Sequence, residues 1–78
     1  RVDTVEKRKI TNKDIAFGRR LRRIRKQAGL TQEELADKCN LSITFIGLLE
    51  VGGRKPSLKT LQKLSTVLGV KTKDLIPY

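Results

Sequence analysis

Positive charge is the first chemistry this sequence offers. Arg19, Arg22, Arg23 and Lys26 recur at helical spacing and share a face, and Arg54 and Lys55 follow directly on Gly52 and Gly53. Guanidinium and ammonium groups clustered this way neutralise phosphates, so a polyanion such as DNA, RNA or an anionic membrane surface is the natural counterpart. The plain alternative is a solvated, solubilising face. The balance favours a polyanion: 18 basic against 8 acidic side chains give a formal net charge of +10. The excess is uneven, because residues 1–29 hold 11 basic and 3 acidic side chains whereas residues 30–78 hold 7 and 5.

Other chemistries find little support. The sequence has no His, the commonest general base and metal ligand. Glu33, Glu34 and Asp37 stand close together, but without further ligands they read as a solvated face. Cys39 falls among apolar positions and reads as a small buried hydrophobe rather than a redox sensor. A lone Cys cannot form an internal disulfide, so a reducing compartment is the default. No glycine-rich phosphate loop, nucleophile–base pair or metal spacing is present. The chain therefore reads as a non-enzyme with no cofactor and no metal. No apolar run of membrane-spanning length and no signal-peptide pattern occurs. With no Met, the chain does not begin at a start codon and reads as a trimmed or excised piece.

The elements that must position the basic groups are helical. Residues 1–13 are polar, without sustained apolar period, and read as a basic arm, flexible or partly helical. Phe17, Leu21, Ile24 and Ala28 then recur at helical spacing, which predicts a helix over about 14–28, capped by Asn12 or Asp14 and ended by Gly29. Thr31 to Glu34 matches a capping box and predicts a helix over 31–38. Asn40 interrupts, tolerating left-handed backbone, and Ser42 caps a helix over 42–51. Pro56 and Ser57 start a helix over 57–68 with Leu58, Leu61, Leu64 or Ser65, and Leu68 inward, and Thr72 caps a last turn over 72–76. No segment alternates with period two, so the fold class is all-α: one domain of five short helices over 14–78 behind the arm.

Residues 32–49 read as a unit. Small Ala36 lets a second helix approach, Asn40 accepts positive φ at a three-residue turn, and Leu35, Cys39, Leu41, Ile46 and Leu49 fill the wedge between two steeply crossed helices. This is the helix-turn-helix pattern.

The residues Gly29, Leu30, Thr31, Gln32, Glu33, Glu34, Leu35 and Ala36, then Leu41 and Ser42, then Ile46 to Glu50, Gly52, Arg54, Pro56, Ser57 and Leu58, resemble the Xre-type helix-turn-helix regulators. The resemblance covers about residues 14–76. It implies the five-helix phage-repressor-like DNA-binding domain and a sequence-specific transcriptional regulator, a repressor by default, binding double-stranded DNA. A bacterial or phage-type protein of the cytoplasm, associated with the nucleoid, follows from it. The resemblance carries DNA-backbone contacts onto Gln32, Thr31, Arg25, Arg54, Lys55 and Arg22. It pairs Arg25 with Glu50, and it places Ser42, Ile43, Thr44, Gly47 and Leu48 toward base edges. Ala36, Cys39, Asn40, Ile46, Leu49 and Glu50 take structural roles. One such module offers little contact area, so a homodimer is expected, with Leu75, Ile76 and Tyr78, or a segment outside this sequence, as candidate contacts.

The base-facing set is unusual. Strong discrimination comes from bidentate Arg–guanine and Gln or Asn–adenine pairs, and none of these residues occurs from Leu41 to Val51. Two hydroxyls and aliphatic Ile43 and Leu48 remain. The expected site therefore contains thymines, read by methyl contacts and shape, with affinity from phosphates. Three alternatives stand beside this. Ile43, Gly47, Leu48 and Val51 could form an apolar patch for a protein partner, as in an antitoxin or coactivator. Leu48 or Val51 could tuck against the following loop. The arm could drive general nucleic-acid or RNA binding.

Overall fold

A computed structural model describes residues 10–78 as five helices joined by short turns. They are α1 (Asn12–Gln27), α2 (Gln32–Cys39), α3 (Ile43–Val51), α4 (Leu58–Leu68) and α5 (Thr72–Leu75). No strand occurs among the described residues. The greater part of the expected arm, residues 1–9, lies outside them.

α1 begins at Asn12, two residues before the expected start, because Thr11 rather than Asn12 or Asp14 is the cap. Thr11 Oγ1 accepts from the Asp14 amide at 3.1 Å, and Asp14 Oδ2 accepts from the Thr11 amide at 3.1 Å. This reciprocal box satisfies two of the donors that a helix start leaves free. Thr31 with Glu34 repeats it at α2. Ser42 and Ser57 each accept one amide bond, at α3 and α4. The expected cap at Thr72 is displaced: Lys71 holds the cap position, Thr72 lies inside α5, and Asp74 accepts from the Lys71 amide.

Asn40 is the only non-glycine residue with positive φ among the described residues, at φ 56°. It lets α2 end with the Asn40 amide on Asp37 O and the Leu41 amide on Ala36 O, and the chain turns at once into the Ser42 cap. Gly52, at φ 84°, ends α3 in the same way.

Phe17, Leu21, Leu35, Ile46, Leu49, Leu64 and Leu75 are fully buried, joined by Ala36 and Cys39. Each large side chain contributes about 1.5–3 kcal/mol on burial. α1 packs chiefly on α3, α2 closes the other side of α3, and α4 and α5 cover the base. The α1–α3 crossing is closest at Gly18. A Cβ there would overlap the Glu50 carbonyl oxygen and stand 2.5 Å from that of Leu49.

Two inward expectations and one outward expectation need correction. Ala28 lies past the end of α1 and is exposed, and Leu58 is 67% exposed. Leu58 opens α4, and a helical side chain leans over the turn before its own Cα, here beyond the edge of the core. Leu75, expected at a dimer contact, is fully buried under α4 and α1 and has no surface to offer.

Candidate nucleic-acid interface

The C-terminal end of α1, the first turn of α2 and the length of α3 enclose an open cleft of about 690 Å³. Arg22, Arg25, Thr31, Gln32, Ile43, Glu50 and Val51 line it. At its floor stands a buried network. Arg25 Nε donates to Glu50 Oε2 at 2.6 Å, and Arg25 Nη2 to Glu50 Oε1 at 3.1 Å. Arg25 Nη1 donates to Leu30 O at 2.8 Å, which ties in the α1–α2 turn. Gln32 Nε2 donates to Glu50 Oε1 at 3.0 Å. One carboxylate thereby joins three helices.

The network sets what its members can offer. Arg25 is only 7% exposed and all three guanidinium nitrogens already donate, so two of its five N–H groups remain. Glu50 can only accept, which turns the Gln32 amide nitrogen inward and leaves one Gln32 N–H for an outside acceptor. That N–H stands at the start of α2, where free backbone amides and the helix dipole favour an anion. Thr31 sits beside it on the surface, its hydroxyl occupied by the Glu34 amide. Arg22 is exposed on the α1 rim.

Across α3, a shallow groove is lined by Ser42, Thr44, Phe45, Leu48 and Arg54. Arg54 is exposed. Lys55 is also exposed, but its ammonium lies 3.2 Å from Asp14 Oδ1, across 41 residues of sequence. The Thr11 amide, followed by Lys55, holds the Asp14 carboxyl down at about 2. This bridge, which sequence reasoning missed, fastens the loop after α3 to the start of α1.

Of the five expected base-facing residues, Ile43 lines the cleft beside Gln32, and Ser42, Thr44 and Leu48 line the groove across α3. Ser42 and Thr44 are exposed, Ile43 is 49% exposed, and Gly47 and Leu48 are half-buried. Ser42 Oγ accepts from the Phe45 amide at 3.0 Å, so its hydroxyl is partly spent on the cap. Leu48 leans on the loop, since a Cβ at Gly53 would stand 3.2 Å from Leu48 Cδ2. Val51 does not tuck away: it is 67% exposed.

The structural group of residues is inside. Ala36, Cys39, Ile46, Leu49 and Glu50 are buried, and Asn40 makes the turn. Burial pushes the Cys39 thiol up, away from the reactive thiolate. Among the described residues no group of acidic, Cys or His side chains could hold a metal, and no helix is long and apolar enough to cross a membrane.

Residues 21–75 match the family described as Helix-turn-helix. The chain belongs to that helix-turn-helix family. The Xre-type resemblance drawn from the sequence holds, and the work of this helix-turn-helix chain is DNA binding in transcription regulation. It is similar to the control protein C.BamHI of Bacillus amyloliquefaciens, with 40% identity over 65 residues, 82% of this chain and 80% of that protein. Its fold is similar to that of the restriction-modification controller C.AhdI of Aeromonas hydrophila, with TM-score 0.77 and 39% identity over 80% of this chain and 94% of that one. The biofilm regulator SinR, solved in complex with DNA, is similar at TM-score 0.73 and 32% identity, over 76% of this helix-turn-helix chain and 95% of SinR.

Proposed function

We propose that this helix-turn-helix chain represses transcription by occupying thymine-containing operator DNA as a homodimer in the cytoplasm. α3 enters the major groove with Ser42, Ile43, Thr44, Gly47 and Leu48 against base edges. The free N–H of Gln32, the Thr31 turn, Arg22, Arg54 and Lys55 hold phosphates on either side. Arg25 acts mainly as a brace: through Glu50 it fixes the Gln32 amide, and its two remaining N–H groups face the cleft. Phosphate contacts supply affinity, and the sparse α3 face supplies modest discrimination.

The observation that carries this reading is the shared Glu50 carboxylate, which pins a phosphate-ready amide at a fixed offset from an exposed α3. The family does not favour the alternative of a protein-docking third helix. With Leu75 buried, Ile76 and the exposed Tyr78 remain as dimer contacts. Sedimentation of the protein with a duplex selected for binding tests the proposal. Two chains per duplex are expected; one chain per duplex overturns the dimer, and equal binding to a scrambled duplex overturns sequence reading altogether.

A further inference from the structure

Gly47 is out of place. It sits in the middle of α3, where glycine is about 1 kcal/mol less favourable than alanine. The fold does not require it. Its backbone is helical, and a Cβ added there would meet no atom of the rest of the molecule within 4 Å. Gly18, by contrast, is enforced by its neighbours. A bare position that the protein does not need internally leaves room for something outside.

The surroundings define that room. On a helix surface the neighbours of position 47 are 43, 44, 50 and 51. Glu50 is buried in the ion pair, which leaves Ile43, Thr44 and Val51 as walls, all three exposed. Each is β-branched, so its rotamers are restricted before any partner arrives. Ile43 and Val51 are about 12 Å apart along the axis at the helical rise, and Val51 leans back toward Gly47. Ile43 and Val51 present aliphatic groups on either side of the bare Gly47 position, and Thr44 adds a methyl and a hydroxyl. The position belongs to the same α3 surface that the proposed function places in the major groove, and the inference rests on that reading.

We propose that Gly47 opens a seat for the C5-methyl group of a pyrimidine, so that α3 senses the methyl whether thymine or 5-methylcytosine carries it. The two bases share the C5-methyl in the major groove and differ at position 4, where thymine offers an acceptor and cytosine a donor. The only hydroxyl beside the seat is that of Thr44, which can donate or accept and so does not separate them. Binding would then respond to cytosine methylation within the operator.

The test is anisotropy titration of the protein against its selected duplex. Each thymine in turn is replaced by deoxyuridine, by cytosine and by 5-methylcytosine with matched complements. Burial of one methyl group predicts about a fourfold loss at one position per half-site for deoxyuridine, and about fourfold tighter binding for 5-methylcytosine than for cytosine there. Gly47→Ala should fold with a higher Tm yet lose both differences. Equal affinity for thymine and deoxyuridine at every position overturns the seat. So does full methyl discrimination in Gly47→Ala. If wild-type protein binds the selected and scrambled duplexes alike, the DNA-reading role of α3 fails, and the seat with it.

Discussion

Replacing Arg25 by Met should expose the double life of the buried network. The substitution removes the three N–H groups that donate to Glu50 and Leu30 O and strands the Glu50 carboxylate, whose side chain is 3% exposed, with Gln32 as its remaining partner. Losing one member of a buried pair costs about 3–5 kcal/mol. A domain of 78 residues has about 4–12 kcal/mol in all, so urea unfolding followed by circular dichroism should show a midpoint near collapse. Removing both charges, as in Arg25→Met with Glu50→Leu, should return most of the stability, because well-packed apolar replacements of a buried pair are often neutral. DNA affinity should not return with it. Gln32 then has no acceptor to hold its amide, and the phosphate contact at the start of α2 is lost; because that amide is neutral and the double change leaves the net charge as it was, affinity falls with little change in salt slope. A single variant as stable as wild type would refute the burial argument. A stable double variant with wild-type DNA affinity would refute the bracing role.

Gly18→Ala should destabilise by about 1–3 kcal/mol despite the better helix former, since overpacking against the α3 carbonyls outweighs propensity; the urea midpoint reads it. Asp14 has its folded carboxyl lowered from 3.8 to about 2, so the stability it contributes is complete above about pH 4 and fades as pH falls toward 2. Asp14→Asn should remove that part of the acid limb in a pH series of melts, and an unchanged profile would contradict the assigned cause. Arg54→Ala should weaken binding alike on all duplexes and lower the salt slope by roughly one; a changed sequence preference would reassign Arg54 to the bases.

Much of this arrangement was legible before any coordinates. The caps at Thr31 and Ser42 and the left-handed Asn40 follow from residue type, because few residues serve those geometries. Thr11 was hidden by competition: Asn12 and Asp14 are good caps themselves, and only the Thr-x-x-Asp spacing distinguishes the true start. Leu58 fits the apolar period but opens its helix, where the period no longer implies cover. Gly18 carried a signal, a glycine inside an amphipathic run, but periodicity gives facing and not the distance between helices. The Lys55–Asp14 bridge and the place of Gln32 on Glu50 join residues 41 and 18 apart, and no local pattern encodes them.

The central claim is that α3 reads DNA with aliphatic groups while phosphates supply the affinity. Selection from a random duplex pool, followed by anisotropy of the winner and a scrambled duplex at two salt concentrations, tests it most directly. Thymines should be enriched at symmetric positions, and the preference for the winner should persist while both affinities fall with salt. Flat enrichment, with equal and steeply salt-dependent binding to both duplexes, would contradict it.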